Sequence, residues 1–200
     1  YDVALDLTTG PSTFRTRCTV DFAASAGGAS TFIDLIAQSV EQITLNGVSL
    51  DPATHFDGLR VTLPGLLSGA NSLTIEATAS YMNTGEGLHR FVDPVDDEVY
   101  LYTQFEVADS RRMFAVFEQP DLKAAFTFTV TAPAHWQVVS NEATPSPRAL
   151  PAAVGSGDTP TANWALPPSP PMHPSSTALI ARTYDHVRLH AQDRGTTAPP

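Results

Sequence analysis

Alternation at period two, broken at short intervals by turn chemistry, runs through most of this chain and leaves room for little except strands. Successive side chains of a strand point to opposite faces, so apolar residues at every second position mark a half-buried strand. YDVALDL puts Val3, Leu5 and Leu7 on one face and stops at Thr9-Gly10-Pro11. Next, Phe14, Thr16, Cys18, Val20 and Phe22 share a face, with Arg15, Arg17, Thr19 and Asp21 on the other. Free cysteine packs as a small apolar side chain, so Cys18 is read as an inert core residue. Phe32, Ile33, Leu35 and Ile36 form a short run read as buried, and Leu59, Val61 and Leu63 another strand. In SVEQITLNGVSL the pair Asn46-Gly47 predicts a type I′ hairpin, because both residues accept positive φ. Leu73, Ile75, Ala77 and Ala79 alternate with Thr74, Glu76 and Thr78, and Phe126, Phe128 and Val130 repeat the pattern. No segment sustains a helical period. Short strands with turns at roughly 8–12-residue spacing predict an all-β fold, an antiparallel saddle-shaped β-sandwich.

Composition shifts after Asn141. ATPSPRALPAAVGSGDTPTA is rich in Pro, Ala, Ser and Gly and has nothing from which to build a core. It is read as a long exposed hairpin loop over about residues 143–162, with a domain linker as the alternative. Trp164 and Leu166 then precede PPSPPMHP, which lacks the backbone donors of a central strand. Alternation returns from Ser176 to His190. Residues 1–190 are therefore expected to form one β domain and 191–200 a tail. Tyr1 stands inside a strand-like segment, which points to a longer parent chain.

Charge and cysteine content narrow the function. The formal net charge is -10 and the 11 Lys+Arg are scattered, whereas nucleic-acid binding needs a basic face. An acidic protein is also repelled by anionic membranes, and no apolar run reaches spanning length. Neither nucleic acid nor membrane is expected as a partner. The single cysteine excludes an internal disulfide and suits a reducing, cytoplasmic setting.

One stretch, YLYTQFEVADSRRMFAVFEQPDLKAAF from Tyr100 to Phe126, has more than core in it. Read as a strand, it sets Tyr100, Tyr102, Gln104 and Glu106 on one face and Val99, Leu101, Thr103 and Phe105 on the other. A carboxylate beside an amide on a tyrosine-bearing strand suits capture of a small cationic group. The same alternation is also what an ordinary half-buried strand with a wet face displays. Glu118-Gln119-Pro120-Asp121 reads as a turn. Just upstream, Gly85 and Gly87 mark a tight turn, and Arg90 is a candidate partner for Asp93 or Asp97.

The remaining candidates for chemistry are weaker. Of the six histidines, His55, His89, His135, His173, His186 and His190, only the last two are spaced as in H-E-x-x-H. Between them stand Val-Arg-Leu, without the glutamate that serves as base. Asp93, Asp96, Asp97 and Glu98 could face a hard cation, but their spacing fits no calcium loop, and a solvated turn is the expectation. Ser175 and Ser176 lack a nucleophile elbow. No catalytic residue and no metal ligand is assigned in this chain.

YMNTGEGLHRFVDPVDDEVYLYTQFEVADSRRMFAVFEQPDLKAAFTFTVTAP resembles the N-terminal domain of the zinc aminopeptidases related to membrane alanyl aminopeptidase, in the form found in bacterial aminopeptidase N. TQFE, SRR and QPDLKA occur in the order and spacing of that family, and the similarity runs from about Tyr1 to Asn141. The family usually has Asp where Glu118 stands. The resemblance implies a saddle of β-strands packed on a thermolysin-like catalytic domain. It also implies that Gln104 and Glu106 are substrate-binding residues: the glutamate holds the α-amino group of a peptide and the glutamine lines the pocket for its first side chain. The intact enzyme would use zinc to remove N-terminal residues from peptides. Neither GAMEN nor HExxH occurs here, so the zinc ligands are expected in a catalytic domain absent from this chain. From a different class, the alternative is a catalytically inert β-sandwich module kept for protein interaction. An HExxH downstream of Pro200 would separate the two.

Overall fold

The structure is a computed structural model and describes residues 1–119, 121–151 and 159–183. In chain order, β1 (Asp2–Asp6) and β2 (Thr13–Ala24) follow the alternation residue by residue, with Val3, Leu5, Phe14, Cys18 and Val20 buried. Two short strands, β3 (Thr31–Asp34) and β4 (Ser39–Leu45), lead to the turn at Asn46 (φ 51°) and Gly47 (φ 80°) and so to β5 (Val48–Leu50). Positive φ at both central residues matches the right-handed twist of the flanking strands. Pro52–His55 makes one helical turn, α1, capped by the Asp51 carboxylate, which accepts from the Ala53 N–H (3.0 Å). Then come β6 (Arg60–Leu63), β7 (Gly69–Ser80), β8 (Gly87–Val92) and β9 (Val99–Gln104). After a 3₁₀ turn at Ser110–Arg112 follow β10 (Thr127–Pro133), β11 (Trp136–Ser140), β12 (Arg148–Ala149), β13 (Thr161–Ala165) and β14 (Leu179–Thr183).

These strands form three sheets. The largest has eight strands in the order β12-β13-β10-β1-β2-β7-β4-β5, the second four in the order β11-β14-β9-β8, and the third pairs β3 with β6. The molecule is all-β, as the alternation predicts, with one departure from the antiparallel expectation. β1 and β10 pair in parallel, Asp2 opposite Thr127 through Asp6 opposite Thr131. Nothing local marks a contact across that sequence distance.

Three further expectations, on Phe32, Leu59 and Arg90, are corrected. Phe32 is 38% exposed rather than buried, and the Arg60 guanidinium lies 4.2 Å from its ring centroid. Leu59 also faces solvent and precedes β6. Within the expected 143–162 loop, Arg148 and Ala149 pair with Asn163 and Ala162 of β13. Arg90 makes no ion pair with Asp93 or Asp97 among the described residues. The Asp93 and Asp96 carboxylates accept instead from the Val95 and Glu98 N–H groups (both 2.9 Å), and the Tyr100 hydroxyl donates to Asp96 (3.0 Å). Pro120, His186, His190 and the expected tail lie outside the described residues.

The core is joined by an aromatic cluster. Phe114, wholly buried, meets Tyr1, Phe105 and Phe128 edge-on with centroids 6.4, 6.2 and 5.9 Å away, and Phe126 lies 6.1 Å away. Edge-to-face pairs of this kind add to the apolar area they bury. Phe105 and Phe114 thus pin both ends of the segment between β9 and the chain's return to the core.

Cys18 sits where the face pattern of β2 puts it, 2% exposed, with its thiol donating to the Ala115 carbonyl (3.2 Å). Burial pushes its pKa from 9.0 up to about 12, aided by Asp2 and opposed by the N-terminal ammonium. Native-state labelling by a thiol reagent should therefore be slow, because the thiolate is the reactive form. The unfolded thiol ionises near 9 and the folded one only near about 12, so its contribution to stability falls as pH rises across that window. Labelling at the rate of a free thiol would put Cys18 on the wrong face.

Candidate functional site

Gln104 is the last residue of β9. The strand was expected to continue through Glu106, and it does not. Phe105 keeps the alternation by burying its ring, and the chain then turns, with the Asp109 N–H donating to the Phe105 carbonyl (3.2 Å). Glu106 is the first residue of this turn. It remains exposed, and its N–H donates to the Gln104 Oε1 (3.3 Å). Gln104 and Glu106 are therefore joined by a bond from backbone to side chain at the mouth of the turn, rather than by standing together on a strand.

The four-stranded sheet carries this corner. One face enters the core through Leu88, Leu101, Val138, Leu179 and Ala181. The other is open and carries apolar and polar side chains: Val139, Ile180, Tyr102 and His89 form one row across it, and Gln137, Arg182, Tyr100 and Phe91 the next. Val139, Ile180, Tyr102 and Phe91 are each more than 40% exposed. His89 stacks on Tyr102 at 4.7 Å and its Nδ1 accepts the Gly85 N–H (3.0 Å), so it anchors the 85–87 turn. Gln104 lies at the end of this open face.

The charges around the corner are unequally matched. Arg112 donates through Nε to Asp109 (2.8 Å) and reaches Glu86 through a terminal nitrogen (3.1 Å). The buried Ser110 hydroxyl donates to one Glu118 oxygen, while Glu118 Oε1 and Arg111 Nε are buried without a hydrogen-bond partner. Glu106 has no ion-pair partner among the described residues. An exposed carboxylate without an ion-pair partner can accept from a cation arriving from outside, and charge-assisted bonds are the stronger kind. The bracing by Arg112 and Ser110 had no reading in sequence. Its only trace there is the Ser-Arg-Arg that follows the strand.

Among the described residues no three His, Cys, Asp or Glu side chains converge on a point that could hold a metal ion. A zinc ion therefore has no fit in the described part of this chain. His173 uses Nδ1 to accept from the Ser175 N–H (3.2 Å), and His135 lies edge-on to Trp136.

The sequence pattern of the peptidase M1 N-terminal domain matches residues 1–151, and the Gln104–Glu106 corner falls inside the match. The chain belongs to that family. Aminopeptidase N of Streptomyces lividans is 48% identical over 201 residues, covering 100% of this chain and 22% of that protein. The probable M1 family aminopeptidase 1 of Encephalitozoon cuniculi is 39% identical over 57% of this chain and 16% of its own length. Aminopeptidase N of Acetobacter pasteurianus is 34% identical over 50% of the chain and 34% of its own length. This M1 N-terminal domain thus spans about a fifth of the length of the Streptomyces relative. None of its described helices is long and apolar enough to cross a membrane.

Proposed function

We propose that this chain is the N-terminal domain of a zinc-dependent aminopeptidase that removes N-terminal residues from peptides, and that Glu106 and Gln104 receive the peptide's N-terminal end. The observation that carries the reading is the exposed Glu106, without an ion-pair partner among the described residues, whose N–H donates to the Gln104 side chain at the end of an open sheet face. A peptide α-ammonium is a compact cation, and a carboxylate attracts it more strongly where the site excludes water. The exposed Val139, Ile180, Tyr102 and Phe91 give a neighbouring thermolysin-like catalytic domain an apolar surface to cover, and covering it would desolvate the corner. Zinc supplies a water activated at neutral pH when bound, and its ligands belong to that other domain. This chain's own residues bind and orient. Residues 1–190 form the domain, and a reducing, cytoplasmic setting suits its lone buried thiol.

The test reads the coding sequence past Pro200 and assays two lengths of chain. HExxH with a more distant Glu is expected downstream. The 200-residue chain alone should release nothing from an aminoacyl-anilide and bind no stoichiometric zinc, whereas the complete polypeptide should do both. One tightly bound zinc on the 200-residue chain, or a complete polypeptide without HExxH, overturns the reading. The second result favours the inert interaction module.

A further inference from the structure

We propose that Arg112 is a positioning residue for Glu106, an inference that rests on the substrate-binding reading of Glu106 above. Three segments meet at Arg112. Its Nε donates to Asp109 in the turn that begins at Glu106, and its terminal nitrogen reaches Glu86 in the turn before β8. Its aliphatic stem lies on Gly87, where an added Cβ would come within 2.8 Å of the Arg112 Cβ. Gly87 in turn pairs in register with Gln104. Arg112 therefore ties the end of β9, the turn bearing Glu106 and the 85–87 turn into one unit.

The geometry depends on a planar cation with several donors. A guanidinium can address two carboxylates at once, whereas the ammonium of a lysine is a point charge that does not reproduce such a fork. Arg112 and Asp109 are also the better enclosed partners, with side chains 26% and 17% exposed against 43% for Glu86. Holding both carboxylates has a second effect. It occupies Asp109 and Glu86 and leaves Glu106, which has no ion-pair partner among the described residues, to meet an incoming ammonium. Gly87 is required on two counts, its φ of +58° and the lack of room beneath Arg112.

A double-mutant cycle in the complete polypeptide decides between positioning and general support. Arg112→Ala should lower kcat/KM for an aminoacyl-anilide by about tenfold, since a misplaced contact group loses much of its effect. On the Glu106→Gln background the same change should cost less than about twofold, because residues acting as a unit are non-additive. Arg112→Lys should restore only part of the loss. Glu86→Gln, at the more exposed end of the bridge, leaves Arg112 and Asp109 in place and serves if Arg112→Ala does not fold. Its smaller loss, about threefold, should likewise vanish on the Glu106→Gln background. Losses that multiply independently of Glu106, with Glu106→Gln itself impaired, overturn the role of Arg112 and leave the reading of Glu106 standing. A Glu106→Gln enzyme with unchanged kinetics overturns both.

Discussion

Replacing Glu106 by Gln in the complete polypeptide should lower kcat/KM for peptides with a free α-amine by about 10- to 100-fold, with the melting temperature unchanged. The substitution keeps size and hydrogen-bonding groups and removes the charge. Hydrogen bonds to charged groups are worth ~1.5–3 kcal/mol, and each ~1.4 kcal/mol is tenfold in rate. The loss belongs in kcat/KM because the contact locates the first peptide bond over the reacting centre as well as binding the substrate. Folding should not respond, since Glu106 is exposed and has no ion-pair partner among the described residues, and such positions usually stay within about 0.5 kcal/mol. Steady-state kinetics and a thermal melt on one variant suffice. Unchanged kinetics would reduce Glu106 to an ordinary turn residue, and a lowered melting temperature would make it structural.

Phe114→Ala should be the most damaging single change to stability, costing about 3–5 kcal/mol in urea denaturation. Phe114 is wholly buried and meets four aromatic rings, Tyr1, Phe105, Phe126 and Phe128. Close-packed neighbours relax only partly into the space a ring leaves, so a cavity adds to the lost transfer energy. For a chain of this size the melting temperature should fall by roughly 10 °C. A loss below about 1 kcal/mol would show that the cluster is not where the sheets are held together.

Strand identity was legible because period-two burial is written directly in residue order. Phe14, Cys18, Val20, Leu73, Ile75 and Ala77 lie where alternation puts them, and Asn46-Gly47 turns as its φ preferences require. The exposure of Gln104 and Glu106 followed from the same rule. The end of β9 did not, because burying Phe105 satisfies the alternation whether the chain runs on or turns. Phe32 misled for a related reason, an apolar ring on an outer face covered by Arg60 from another strand. Ion pairing was least legible. Arg90 lay close in sequence to acidic residues, whereas the bridging arginine is Arg112, whose partners Glu86 and Asp109 are brought together by the β8–β9 pairing.

The parallel seam between β1 and β10 bears on how this domain is made. β1, β2, β7, β4 and β5 can assemble from the first eighty residues, since every ladder among them is antiparallel and lies within that span. β10, β12 and β13 form a second group. The two halves become one sheet only when Asp2–Asp6 meets Thr127–Pro133. Closing a loop of this length costs about 4 kcal/mol in chain entropy before any contact rewards it. Until then the outer edge of β1 is an open template for pairing with another chain. The domain therefore has a high contact order, and its first half stays unsealed until β10 has been made and has reached it.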